Sequence, residues 1–175
     1  TLAALAVTNG TPANLNTVDN IVWTAEVAPT GEGLVTVDLA AAKATDVAGN
    51  PNAAANTLNF VYDSGRPGAT LASTASTTTN ISPIPVTIAF SEVVASFDVN
   101  DLTVVNATVG NFVETVASQT WTFELTPVTQ GAVTVEVADS KTEDAAGNGN
   151  TAVTQISRTY DSAAPDAPTA PAITP

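Results

Sequence analysis

Short runs of alternating apolar and polar residues recur along the chain, separated by turn residues. In residues 86–90, Val, Ile and Phe occupy every second position with Thr and Ala between them, and the same alternation recurs in residues 121–125 and 133–137. A two-residue period is typical of a strand with one buried face. No stretch keeps an apolar stripe with a helical period of about 3.6 residues. The pattern therefore predicts an all-β protein.

Seven strands are predicted between residues 69 and 160. They lie near Ala69 to Ala72, Val86 to Val93, Leu102 to Val109, Phe112 to Val116, Thr120 to Leu125, Ala132 to Ala138 and Ala152 to Tyr160. The abundance of Val and Thr favours pleated surfaces over helices. Seven short strands in about 100 residues suit an immunoglobulin-like β-sandwich.

The chain also repeats itself. The segment Trp121-Thr-Phe-Glu-Leu-Thr-Pro127 matches Trp23-Thr-Ala-Glu-Val-Ala-Pro29, and the loop Asp144-Ala-Ala-Gly-Asn matches Asp46-Val-Ala-Gly-Asn, both at an offset of 98 residues. Near Leu102 the offset is 97, which indicates a one-residue insertion or deletion in a loop. A fixed period of this length predicts tandem structural repeats.

The repeat divides the chain into three parts. Residues 1–63 form a repeat that lacks its first strands, residues 64–161 form a complete repeat, and residues 162–175 form a Pro-rich linker and the start of the next repeat. A sandwich without its first strands has an open edge and a half-covered core. We therefore expect the missing strands to lie upstream or to come from another chain.

Composition excludes several functions. The chain has 4 basic and 17 acidic residues, a net charge of −13, which disfavours binding to nucleic acid. It contains no Cys, Met or His, so disulfides and the usual catalytic bases are absent, and we expect no enzymatic activity. No run of 18 apolar residues occurs, so no membrane span is expected in this segment.

Four motifs together resemble the bacterial Ig-like repeats of large surface adhesins, of the biofilm-associated and RTX-adhesin type. The motifs are Phe90-Ser-Glu-Val-Val, Asp101-Leu-Thr-Val-Val-Asn, the Asp-Ala-Ala-Gly-Asn loop and the Asp-Ser-x-x-Pro junction. The resemblance implies an extracellular or cell-surface location, a role as a stalk or spacer in cell adhesion, and neighbouring repeats as partners. In some relatives it also implies Ca²⁺ at the junction between domains.

Acidic residues concentrate in segments expected at the end of the sandwich where the chain enters. If the strands run alternately up and down, Glu92, Asp98 and Asp101 on one loop, Glu143 and Asp144 on another, and Asp63 on the linker converge there. Carboxylate oxygens are the ligands that Ca²⁺ prefers. We predict calcium as the cofactor, with Asp63, Glu92 and Asp144 as ligands and Asp101 next.

Other interpretations remain open at this stage. Asp and Asn are ordinary turn residues, so the Asp-Ala-Ala-Gly-Asn loop also suits a plain solvated turn. The chain also suits an extracellular filament subunit that takes a strand from other copies of itself, or a lectin-like binding module. Trp23 and Trp121 occupy the same repeat position beside apolar residues, which predicts core packing rather than sugar binding.

Overall fold

A computed structural model describes residues 1–168. The chain divides into two compact units, Thr1–Gly65 and a second that begins at Arg66. Part of the predicted start of a next repeat, residues 169–175, lies outside the described residues. Within residues 1–168, no helix has the length and apolar character needed to cross a membrane.

The first unit opens with a short 3₁₀ turn, Leu2–Ala4, and continues with five strands. These are β1 (Leu5–Thr8), β2 (Gly10–Thr17), β3 (Trp23–Pro29), β4 (Gly33–Leu39) and β5 (Leu58–Tyr62). One sheet has the order β1-β4-β5 and the other consists of β2 and β3. All of these pairs are antiparallel.

Up to residue 168, the second unit contains eight strands in two four-stranded sheets. They are β6 (Ala69–Ala72), β7 (Thr78–Thr79), β8 (Ile84–Phe90), β9 (Leu102–Val105), β10 (Ala107–Val116), β11 (Thr120–Pro127), β12 (Gly131–Val137) and β13 (Val153–Tyr160). The sheet orders are β10-β11-β8-β6 and β7-β13-β12-β9. Only β7 and β13 pair in parallel among the described strands.

The core of the second unit lies between these two sheets. Alternate residues of β8, β11 and β12 are buried, because the two-residue period of a strand places them on one face. Phe90 and Phe97 both meet Trp121 in edge-to-face contacts, with ring centroids 5.8 and 5.0 Å apart respectively. Such aromatic pairs add about 0.5–1.5 kcal/mol beyond the burial of their area.

The predicted all-β, immunoglobulin-like fold is confirmed, with corrections to individual strands. The predicted strand 102–109 is wrong, because the chain breaks at Asn106, whose φ is 58°. Residues 107–116 instead form one bulged strand. The strand predicted to reach Val93 ends at Phe90, and the two-residue strand Thr78–Thr79 is too short for its pattern to be recognised.

The two tryptophans differ in burial. Trp121 is 6% exposed, as core packing predicts, whereas Trp23 is 51% exposed, so the prediction is wrong for Trp23. The physical reason is the set of strands present in each unit. Trp121 packs against residues of β8 and the loop after it, and strands β6 to β8 have no counterpart in residues 1–65.

Candidate metal centre

The loop between β12 and β13 is organised by Asp144. Its carboxylate accepts hydrogen bonds from the backbone N–H groups of Ala146 and Asn148, at 2.8 and 2.9 Å, and from the Asn148 side-chain amide at 2.9 Å. Gly147 has a φ of 89°, a conformation that L residues with a side chain rarely adopt. The Asp-Ala-Ala-Gly-Asn sequence therefore forms a tight turn around a buried carboxylate, with Asp144 5% exposed.

The Asn150 side chain stabilises the same loop. Its side-chain oxygen accepts from the N–H groups of Lys141 and Thr142, and its amide donates to the carbonyls of Ala138 and Thr151. The Asn150 side chain is fully buried, and all four of these hydrogen bonds hold the backbone of the loop. Asn52 occupies the matching position of the first repeat, and this recurrence is the signal in the sequence that could have identified Asn150.

The segment entering the second unit is fixed against this loop. Arg66 donates to the carbonyls of Gly149 and Asn150, both at 2.7 Å, and to the Asp139 carboxylate, also at 2.7 Å. The next residue, Pro67, is buried, and its carbonyl accepts from the Thr151 N–H. Asp63 lies three residues before Arg66. Because Arg66 is held against the loop that carries Asp144, the Asp63 carboxylate is within reach of that loop.

Glu92 reaches the group from the end of β8. It lies two residues after the last residue of that strand, in the segment that leads to Ala95. The Ala95 N–H donates to the Glu143 carbonyl at 2.7 Å, and the Thr142 hydroxyl donates to the Ala95 carbonyl. These bonds join the loop after β8 to the loop that carries Asp144.

Three of the four predicted ligands lie together. Asp63, Glu92 and Asp144 each present a carboxylate oxygen, and these oxygens lie within 4.8 Å of one another. Asp101 has a different local role, because its side chain accepts from the Asp98 N–H in a capping box around the 3₁₀ turn Val99–Asp101. The residues predicted from sequence therefore separate into a close group of three and a capping residue.

Hydrogen bonds dominate the electrostatics of Asp144. The Asn148 side chain and the backbone N–H groups lower the pKa of the Asp144 carboxyl below its ordinary value, because they stabilise its charged form more than burial destabilises it. Asp144 is therefore ionised at neutral pH. A cation can therefore bind this carboxylate at neutral pH without displacing a proton.

The donor set suits a hard divalent cation. The group offers carboxylate oxygens only, as Ca²⁺ prefers, and no nitrogen or sulfur ligand exists in the chain. One Asp144 oxygen accepts two hydrogen bonds and the other accepts one, so the second retains a lone pair for a metal. Because Ca²⁺ takes six to eight oxygens, backbone carbonyls and water would complete its shell.

The first unit contains the same turn with different surroundings. Asp46 accepts from the Asn50 N–H at 2.8 Å and from the Asn50 side-chain amide at 2.9 Å, as Asp144 does with Asn148. These bonds lower the pKa of Asp46 as well. Asp46 is exposed, and it belongs to no group of three acidic residues in the described part of the chain. The turn itself thus forms wherever the motif occurs, and the second unit adds two further carboxylates to it.

Two facing sheets, antiparallel except for the β7–β13 pair, and a loop motif repeated at a fixed period define this chain as a pair of immunoglobulin-like sandwich repeats. A family model described as the bacterial Ig-like domain matches residues 1–62 and 63–160, and the chain belongs to this family. All three grouped carboxylates fall within the second match. A search of curated proteins and a search of solved structures each gave no match.

Family membership narrows the range of functions. Domains of this family are structural or binding modules and are typically extracellular or surface-associated. The tandem match also shows that each repeat has a neighbouring repeat in the same chain.

Proposed function

We propose that this chain is a spacer segment of a secreted or cell-surface bacterial adhesin, and that Ca²⁺ bound by Asp63, Glu92 and Asp144 stiffens it. The approach of three carboxylate oxygens to within 4.8 Å carries the proposal. Like charges so close repel each other, and a divalent cation relieves that repulsion. Asp63 lies on the segment between consecutive repeats, so a cation held there restrains the linker.

A calcium titration of thermal unfolding tests the binding. A ligand that binds only the folded state stabilises it by about 2.7 kcal/mol at 100 times its Kd. For a domain of this size we expect Tm of the second unit to rise by roughly 10 °C, and EDTA to reverse the rise. We expect Mg²⁺ to give a smaller shift, because it demands a tighter octahedral shell.

Matched substitutions separate binding from turn formation. Asp144→Asn keeps an oxygen that accepts the backbone bonds of the turn but removes the charge, and we expect it to abolish most of the calcium shift. Asp46→Asn makes the same change in the first unit, and Asp101→Asn changes the capping residue, so both should leave the shift intact. An unchanged Tm in calcium, or an equal loss in D46N, would contradict the calcium site.

Small-angle X-ray scattering addresses stiffening separately from binding. If bound Ca²⁺ restrains the linker, calcium should narrow the distribution of maximum dimensions of the chain, and D144N should not respond. A calcium-dependent Tm without any change in scattering would keep the ion as a stabiliser of one repeat and reject its role in stiffening.

A further inference from the structure

The last residues of the first unit are held beside the turn that joins β3 to β4. Strand β5 ends at Tyr62, which pairs with Gly33 in the antiparallel β4–β5 ladder. Two residues further on, the Ser64 N–H donates to the Glu32 carboxylate at 2.9 Å, and the Ser64 hydroxyl donates to the other oxygen of that carboxylate. Asp63 therefore lies between two residues that the first unit fixes.

The Asp63 side chain is itself held against the backbone. The Gly65 N–H donates to one Asp63 carboxylate oxygen at 2.9 Å, which closes an Asx turn. A Cβ atom built on Gly65 would lie 3.2 Å from that oxygen, so the turn is tight. The Asx turn fixes the carboxylate relative to its own backbone, and the bonds between Glu32 and Ser64 fix that backbone relative to the β4–β5 ladder.

The turn that carries Glu32 is well defined. The Asn9 side-chain amide donates to the carbonyls of Gly31 and Glu32, at 2.8 and 3.3 Å. Gly33 follows with a φ of 104°, which residues with a side chain rarely adopt. The Ser64 hydroxyl and N–H lower the pKa of the Glu32 carboxyl, so both of its oxygens accept hydrogen bonds in the ionised form at neutral pH.

The second unit holds the linker that follows it with a neutral side chain. Gln130 occupies the position of Glu32, at the offset of 98 residues. The Gln130 side-chain oxygen accepts from the Ser162 N–H at 3.0 Å, and the Gln130 amide donates to the Ser162 hydroxyl at 3.2 Å. A glutamine at this position therefore contacts the same two groups of the serine without carrying a charge.

We propose that Glu32 is a positioning residue for the calcium site, because it holds Ser64 and thereby fixes the Asp63 carboxylate. The inference rests on the proposed calcium site. A ligand that is already held in place loses less conformational freedom when the ion binds, so the affinity for the ion is higher. Calcium affinity therefore depends on a side chain of the first unit that lies outside the group of three carboxylates.

Isothermal titration of the whole chain with CaCl₂, well below Tm, tests the role of Glu32. We expect Glu32→Ala to raise the Kd for Ca²⁺ about 10-fold, as is common for residues that orient metal ligands. Glu32→Gln can keep both contacts with Ser64. It should raise Kd by less than about threefold in about 0.15 M salt, which screens an exposed charge.

Ser64→Ala tests the same link from the other side. It removes the hydroxyl contact but keeps the backbone N–H, so its Kd should lie between those of the unaltered chain and E32A. Because Ser64 acts only through its bonds to Glu32, we expect S64A to add no further loss of affinity to E32A. An additive loss in the double variant would overturn the proposal.

Gln130→Ala is the matched control, because it removes the same pair of contacts from the linker after the second unit. It should leave the calcium Kd unchanged, while Tm in EDTA shows whether each variant keeps its fold. An unchanged Kd in E32A, or equal losses in E32A and E32Q, would overturn the positioning role and leave the calcium site in place. An unaltered chain that binds no calcium would overturn both.

Discussion

Side-chain amides do much of the structural work in the loops and turns of this protein. Asn106 has a positive φ, and its side chain donates to the carbonyls of Thr129 and Ala132. Asn9 does the same for Gly31 and Glu32 in the first repeat. Asn tolerates the left-handed conformation and bonds nearby backbone. These residues fix turns in a protein without disulfides.

Substitutions of Asn150 test how much a single side-chain amide stabilises its loop. Asn150→Ala removes four hydrogen bonds, one buried and three part-buried, so that backbone groups of the loop lose these partners. We therefore expect the second unit to lose about 2–4 kcal/mol of unfolding free energy. Asn150→Asp should also destabilise it, because a carboxylate cannot donate to the Ala138 and Thr151 carbonyls. Urea unfolding measures both changes.

The matched control for Asn150 is Asn52→Ala in the first unit. Asn52 makes the corresponding four bonds but is partly exposed, so water can replace its partners and the loss should be smaller. Equal losses at the two positions would show that burial does not set the cost.

At the scale of elements, alternation along the sequence predicted the central strands well. Strands β11 and β12 have one strictly buried face, so their pattern is clear. The region 102–116 was mispredicted, because the break at Asn106 depends on bonds to Thr129 and Ala132, more than 20 residues away. Long-range partners of this kind leave no local periodic signal.

The grouping of three carboxylates in the candidate metal centre was predictable from the expected order of the strands. Asp63 and Asp144 lie between predicted strands and Glu92 lies near the end of one, so an alternating up-and-down order of strands predicted that they converge at one end of the sandwich, although the strand end near Glu92 was placed three residues too late. The role of Arg66 was missed, since its carbonyl partners come from a loop more than 80 residues away. The sequence therefore predicts which loops lie at the same end of the sandwich. The long-range hydrogen bonds that hold these loops cannot be predicted without the three-dimensional structure.

Substitutions of Arg66 test how the segment that enters the second unit is held against the loop between β12 and β13. The Arg66–Asp139 ion pair is exposed and should contribute little, whereas the bonds to the Gly149 and Asn150 carbonyls hold the entering segment. We expect Arg66→Ala to destabilise the second unit by about 1–3 kcal/mol in urea unfolding. Asp139→Asn should cost less than half as much, and a reversed order would assign the effect to the ion pair.

On the scale of the whole molecule, carboxylates govern the response to acid. Hydrogen bonds lower the pKa values of Asp19, Glu32 and Asp46 in the first unit and of Asp139 and Asp144 in the second. Groups with a depressed folded-state pKa add stability that is complete above their unfolded value, about 4, and is lost as pH falls through the folded value.

We therefore expect Tm to hold steady from neutral pH down to about 5 and to fall below about pH 4. The measurement is a calorimetric series in calcium-free buffer with about 0.5 M NaCl, which screens the general repulsion of a chain with net charge −13. The D144N variant should show a shallower fall of Tm for the second unit, because one of the linked carboxylates is gone. A fall of the same steepness in D144N would contradict the role of Asp144.

The linker after each repeat is built in the same way. Asp63 accepts from the Gly65 N–H and Asp161 from the Ala163 N–H, while Glu32 and Gln130 bond the serine that follows each aspartate. Deleting residues 63–160 would place Asp161 directly after Tyr62, in the position of Asp63. Unequal crossing-over between gene segments can therefore add or remove whole repeats. Each new junction would then contain the same hydrogen-bonded Asp-Ser linker.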